Sequence, residues 1–185
     1  MQDEQIIQAV LNGQSDMFRL LYRSYATNCW RVSLGIVKSE DLAQDAVQNA
    51  FLKAFQRLRT FQGNSTFKTW LLRIVINESL KIVKANKRYL YLEHDKDILI
   101  NNQDAFTLDD EILNIEKNEL QQILHTALAQ LPNAMQLLLT LFYLEEMSIK
   151  EIMVSTNFSG AKVKTGLHRA RKELKILLNK KHNFV

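Results

Sequence analysis

Residues 148–177 read SIKEIMVSTNFSGAKVKTGLHRARKELKIL. Ser148 followed three residues later by Glu151 is a capping box and starts a short helix. Thr156-Asn157-Phe158 makes a turn, and Ser159 is set to cap a second helix over about 160–179. Two helices joined by a turn of that length form a helix-turn-helix candidate. Along the second, Val163, Leu167, Ala170, Leu174 and Leu177 step by four and three and define a buried face. Lys164, His168, Arg171 and Lys175 follow the same steps on a neighbouring face, and Lys162 to Lys181 holds eight Lys and Arg against one Glu. A solvated C-terminal helix carries such charges too. On the second helix of this motif, a basic stripe is also the footprint of a helix lying in a DNA groove.

Working outward, the same helical period recurs. Pro132 fits the first turn of a helix carrying Leu137, Leu138, Leu141, Phe142 and Leu144, and another helix is expected over 111–130. The N-terminal half reads as four helices. Ile6, Ile7, Val10 and Leu11 form a stripe stopped by Asn12-Gly13. A helix from Ser15-Asp16 carries Phe18, Leu21, Tyr22 and Tyr25 inward. The third, over 40–59, buries Ala43, Val47, Ala50, Ala54 and Leu58 beside Phe51 and Phe55. After a break at 61–65, Ser65 is expected to cap a fourth helix running toward Arg88 with Phe67, Trp70, Leu71 and Ile74 on its stripe. Five Gly and one Pro in 185 residues fall well below the ~12% average, too few for the turns of a sandwich or barrel. The fold class is all-α.

The formal net charge of +4 conceals a pattern. Residues 1–90 carry thirteen Lys and Arg against seven Asp and Glu, residues 91–119 two against nine, and residues 120–185 nine against four. This basic–acidic–basic layout predicts two lobes suited to a polyanion: a first domain over 1–90, a flexible acidic linker over 91–111, and a helix-turn-helix domain over 112–185. Within the linker, Ile98, Leu99, Ile100 and Phe106 are candidates for docking on a lobe. One cysteine, Cys29, excludes an intramolecular disulfide and reads as a buried filler. His94, His125, His168 and His182 are scattered, so no metal site and no cofactor is expected, and no phosphate loop or nucleophile–base pair argues for an enzyme. No secretory signal is visible, and the apolar run at 135–144 is half the ~20 residues a membrane span needs, so a cytoplasmic location without membrane insertion is expected.

These residues resemble the extracytoplasmic-function (ECF) sigma factors, the small two-domain group of the bacterial sigma-70 family. AQDAVQNAFLKAF at 43–55 is similar to that family's helix for the RNA polymerase clamp. FQGNSTFKTWLLRIVIN at 61–77 is similar to its promoter-melting and −10-reading segment. ALAQLP at 127–132, MSIKEI at 147–152 and VKTGLHRARKEL at 163–174 are similar to its −35-reading domain.

The resemblance implies a transcription initiation factor that binds RNA polymerase core, recognises −35 and −10 DNA and assists strand opening. Its partners would be the clamp of the polymerase beta-prime subunit, promoter DNA and an anti-sigma factor. Asp45, Gln48 and Leu52, with Phe51 at the edge, would dock on the clamp. Phe61, Gly63, Asn64 and Ser65 would capture a flipped −10 base, Asn77 would contact the non-template strand, and Lys68, Arg73, Lys81, Lys84, Lys87 and Arg88 would hold phosphates. In the −35 domain, Ser159, Lys162, Lys164 and Thr165 lie at the recognition-helix start, while His168, Arg169 and Arg171 would mostly grip phosphate.

The chain departs from the family at Asn157 (usually Gly), Ser155 and Thr156 (usually aliphatic), and Gly166 and Gln136 (usually Arg), which points to weakened or altered −35 recognition. Two other classes stay open on sequence alone: a helix-turn-helix regulator with no polymerase contact, and an interaction-only relative. The first has no need of an exposed Asp45 and Gln48; in the second, Lys164 would not matter for promoter use.

Overall fold

Apolar periodicity becomes helix throughout the computed structural model, which describes residues 2–93, 123–124 and 126–182, with side chains described except at 86–93 and 180–182. The linker beyond 93 with its aliphatic residues, the side chains of Lys87 and Arg88, and most of the helix expected over 111–130 lie outside the described residues; 123–124 and 126–129 are helical.

Helix α1 (Asp3–Leu11) stops at Asn12-Gly13, with Gly13 at φ +99°, a conformation that side chains disfavour. Its Asp3 carboxylate accepts the Tyr25 hydroxyl, pinning α1 to the next helix. A 3-10 turn, Ser15–Met17, leads into α2 (Phe18–Val37), which ends at Lys38 in the left-handed region. Ser39 caps α3 (Glu40–Gln56), whose first turn holds Glu40 and Asp41 where carboxylates suit the helix dipole. A 3-10 turn, Leu58–Thr60, and a short loop precede α4 (Phe67–Glu93). The cap of α4 is Thr66 rather than Ser65: Thr66 Oγ1 accepts the Thr69 N–H at 3.2 Å, while the Ser65 hydroxyl donates to the Thr66 carbonyl at 3.3 Å.

Helices α2, α3 and α4 pack mutually around Leu21, Val32, Ala50, Leu71, Leu72 and Val75. Ser33 and Ser79, both buried, share a hydrogen bond of 2.9 Å between α2 and α4. Cys29 is fully buried as expected, and that burial pushes its thiol up, away from the reactive thiolate. Tyr22 departs from expectation at 48% exposure. It lies one step, about 100°, round the helix from the fully buried Leu21, on the side where its ring meets Phe51 of α3 at the edge of the core.

In the second region, α5 (Asn133–Leu139) starts one residue later than expected, with Pro132 as the capping residue whose carbonyl accepts the Met135 and Gln136 N–H groups. The helix then loosens into a π turn, Thr140–Leu144, which shifts the helical phase; Leu141 stays buried but Leu144 turns outward. Helices α6 (Ile149–Thr156) and α7 (Gly160–His182) form the helix-turn-helix. Asn157 holds the turn at φ 60° and Ser159 Oγ accepts the Lys162 N–H at 3.3 Å. The serine and threonine that replace aliphatics in α6 are both satisfied, since Ser155 and Thr156 hydroxyls donate to the Ile152 carbonyl at 3.2 and 2.6 Å.

The two regions also pack on each other. α2 meets α5, α4 meets α6, and their buried side chains form one continuous apolar cluster. Glu151 joins this seam. Its carboxylate accepts the Ser148 N–H at 2.9 Å, closing the capping box, and the Thr69 hydroxyl of α4 at 3.1 Å. Hydrogen bonds from the Ser148 backbone and then its hydroxyl hold the Glu151 carboxyl below its ordinary range. Its stabilisation is therefore present above the unfolded-state value near ~4.3 and fades as pH falls through the lower folded value. Glu151→Ala is expected to cost about 0.5–1 kcal/mol at neutral pH, a capping value reduced by solvent screening, with the difference shrinking below pH ~4. Urea unfolding of both chains across pH checks this, and a difference that grows on acidification would contradict it.

Candidate functional site

Three surfaces carry the residues singled out from the sequence. On α3, Asp45 and Gln48 are exposed and Leu52 is 55% exposed. Phe51 is buried at 4%, with its ring 4.8 Å from Tyr22 and 6.3 Å from Phe18, so it supports the surface from beneath rather than edging it. The outward neighbours are instead Phe55, at 41%, and Tyr22. Sequence reasoning missed Phe55 as a surface residue although the signal existed: Asp45, Gln48, Leu52 and Phe55 step by three, four and three along one stripe.

The second surface is the loop before α4 and the first turns of that helix. Gly63 takes φ +71° and is exposed with Asn64, whose side-chain N–H donates to Gln62 Oε1 at 3.1 Å. Phe61, Phe67 and Trp70 form an aromatic trio with centroids 5.3–5.8 Å apart. Phe67 is core, whereas Phe61 and Trp70 are half-buried beside the loop. Asn77 and Lys84 are exposed on α4. Lys81 donates to Glu78 Oε1 at 2.8 Å, and Lys53 donates to the other oxygen. Burial pushes the Glu78 carboxyl up, but the hydrogen bonds from Lys53 and Lys81 outweigh it and hold the group below its ordinary range.

The third surface is α7. Lys164, Thr165, His168, Arg169 and Arg171 are all exposed along its outer side. Lys162 lies 3.8 Å from the Phe158 ring centroid, a cation–π contact, and Arg171 donates to the Tyr143 hydroxyl at 3.3 Å. The Ser159 hydroxyl is committed to its cap. Gly166 does not lie on this outer side. A Cβ there would meet Leu138 Cδ1 at 2.4 Å, so a side chain at 166 starts into α5 and its absence removes no donor from the exposed stripe.

Sequence reasoning found the basic residues but not that two of them, beyond Lys81 with its Glu78 partner, reach across to the second region. Lys68 reaches Glu145, at the end of the π turn, donating to its carbonyl at 2.8 Å and lying 3.0 Å from its carboxylate. Arg73 donates to Asn157 Oδ1 at 3.2 Å. Gln136, a departure from the family's usual Arg, accepts from Lys38, which also donates to the Ala129 carbonyl at 3.3 Å; burial there lowers the Lys38 ammonium from its ordinary range. Asn133 donates to the Ile36 carbonyl at 2.9 Å. Among the described residues no group of three or more His, Cys, Asp and Glu side chains could hold a metal ion, and no helix is long and apolar enough to cross a membrane.

Residues 21–89 match sigma-70 region 2 and residues 121–174 match sigma-70 region 4. The chain is 30% identical to the ECF RNA polymerase sigma-E factor of Escherichia coli over 176 residues, covering 93% of this chain and 92% of that protein. It is 29% identical over 180 residues to the RNA polymerase sigma-H factor of Pseudomonas aeruginosa, covering 94% and 92%. In fold it is similar to the sigma factor RpoE from Bartonella quintana, solved in complex with the anti-sigma factor NepR (TM-score 0.72, 20% identity, 88% of this chain and 96% of that one). It is similar also to CnrH, solved with the cytosolic domain of CnrY (TM-score 0.64, 21% identity, 96% and 97%). Both sigma-70 regions are present in order, and a 30% identical relative is covered almost from end to end: the chain belongs to the ECF group of the sigma-70 family, the RNA polymerase sigma factors that direct transcription initiation at promoters.

Proposed function

We propose that this chain performs that role with a division of labour between its two regions. Residues 1–90 bind polymerase core and read and melt the −10 element, and residues 112–185 read the −35 element. The outward stripe of α3, Asp45, Gln48 and Leu52, meets the clamp of the polymerase beta-prime subunit. The loop with Gly63, Asn64 and Ser65, backed by Phe61 and Trp70, takes a base out of the stack. Capturing it offsets the few kcal/mol that unstacking costs, so no catalytic group is needed. Asn77, Lys68, Arg73, Lys81 and Lys84 follow the strand, and Lys164, Thr165, His168, Arg169 and Arg171 grip the −35 duplex.

The observation that carries this reading is the bare basic stripe on the second helix of a helix-turn-helix, joined in one chain to the polar-apolar stripe of α3. A regulator that ignored polymerase would leave the α3 stripe unexplained. The reading places the protein in the cytoplasm, acting without cofactor, and adds an anti-sigma factor as partner, because the similar RpoE was solved with one. Run-off transcription with purified core and this protein on genomic fragments tests it: new start sites are expected, and their absence together with no binding to core would overturn it.

A further inference from the structure

The contact between the two regions has an unusual centre. Glu145 carries a fully buried carboxylate, 0% exposed, at the end of the π turn, and three donors from two helices of the first region converge on it. Arg31 Nη1 of α2 lies 3.0 Å from Oε1, Lys68 Nζ of α4 lies 3.0 Å from Oε2, and the Asn28 amide also donates to Oε2. Two cations face the Glu145 carboxylate, and the second acid nearby, Glu151, feels Lys68 as well but is already satisfied by Ser148 and Thr69. The cations are not sealed in with Glu145: the Arg31 and Lys68 side chains retain 37% and 28% exposure.

We infer that Asn28, Arg31 and Lys68 form a binding site for a DNA backbone phosphate, occupied in this closed arrangement by the Glu145 carboxylate as an internal stand-in. The inference rests on the promoter-binding reading above and adds to it Asn28 and Arg31, which no sequence pattern marked. A carboxylate and a phosphodiester each present one negative charge over two terminal oxygens, and a guanidinium fork beside an ammonium and an amide donor suits both. Separating the regions rehydrates Glu145, which offsets much of the lost Coulomb attraction, so exchanging carboxylate for phosphate is close to balanced. A polyanion tips that balance where a single ion does not, because each further contact releases counterions. DNA is favoured over an acidic protein because Lys68 stands in the first turn of α4, directly after the exposed loop at Gly63 and Asn64 that the proposed function assigns to base capture.

The test uses the full chain without polymerase and a fluorescein-labelled single-stranded DNA of mixed sequence, about 20 nucleotides, longer than one typical footprint. Anisotropy is read over a range of salt. Glu145→Gln keeps the shape and removes the competitor charge, and is expected to tighten binding roughly tenfold. Adding Arg31→Gln is expected to cancel most of that gain and to reduce the slope of log K against log salt by about 0.7, one phosphate on a single strand. Arg31→Gln alone, at a partly exposed position, is expected to weaken the unaltered chain two- to threefold, roughly, and stands even if the Glu145 variant folds poorly. Unchanged affinity in Glu145→Gln, or equal binding by the single and double variants, would overturn the inference. Equal tightening toward a poly-glutamate peptide would overturn it in favour of an acidic protein partner. Failure of run-off transcription with these DNA results intact would remove the initiation reading and leave the phosphate site, and the converse would remove the site alone.

Discussion

Gly166→Arg is expected to destabilise the protein by about 1–2 kcal/mol, although it restores the residue type usual in the family and replaces a poor helix former. The propensity gain is worth at most ~1 kcal/mol. Against it stands the Cβ, built 2.4 Å from Leu138 Cδ1, well inside the ~3.5–4 Å of ordinary carbon contact. Leu138 is only 3% exposed, between α5 and α7, so its methyl has little room to yield, and overpacking of this kind costs typically ~1–3 kcal/mol. The steric cost wins. Leu138→Ala alone should lose about 2–5 kcal/mol as a buried cavity. The double variant should lose at least ~1 kcal/mol less than the two single losses together, since each change relieves the other. Urea midpoints of the four chains measure this, and a midpoint raised by Gly166→Arg would show that helix propensity dominates.

That case shows what the sequence made legible and what it hid. Helix boundaries set by local chemistry could be read directly: the Ser148–Glu151 box, the Ser159 cap, Asn157 in the left-handed turn and the Asn12-Gly13 stop depend on residues within four positions of one another. Adjacent equivalents could not be separated. Ser65 and Thr66 are neighbouring hydroxyls and only one caps α4; Glu145 and Glu146 are neighbouring acids, one buried and one exposed at φ 54°. Helical phase failed where the helix itself changed pitch. The π turn at Thr140–Leu144 turns Leu144 out and sends Glu145 into a seam with Arg31, 114 residues earlier in the chain. No periodicity within either region encodes that pairing. The basic residues were legible as charges, but whether a given lysine faces solvent or a carboxylate of the other region depends on how the two pack. On α3 the stripe was readable while the depth of each aromatic was not, because Phe51 and Phe55 differ by one helical turn and both meet Phe18 of α2, while Tyr22 of that helix lies against Phe51.

The α3 stripe carries the largest functional prediction. Asp45→Ala with Gln48→Ala is expected to weaken binding to polymerase core about tenfold, and adding Leu52→Asp to bring the total loss to about a hundredfold or more, roughly 2.7 kcal/mol. Leu52 dominates because it is 55% exposed beside Phe55 and Tyr22, an apolar patch whose burial would form the dry centre of the contact, with Asp45 and Gln48 as its polar rim. A carboxylate introduced at that centre has no partner and must be desolvated. The folded chain should be nearly indifferent: all three positions are solvent-facing, and the helix propensity gained by two changes to Ala offsets the poorer propensity of Asp at 52, so the unfolding free energy should stay within ~0.5 kcal/mol of the unaltered chain. Single-stranded DNA binding should be unchanged as well, since none of the three lies at the loop or the Arg31–Lys68 cluster. Phe51→Ala is the necessary contrast. Being 4% exposed under Phe18 and Tyr22, it should lose about 3–5 kcal/mol of stability and weaken core binding only as far as unfolding does. Core affinity measured by competition against an unaltered labelled copy separates these effects. If the triple variant binds core as well as the unaltered protein while its fold is intact, α3 is an ordinary solvated helix and the clamp contact lies elsewhere.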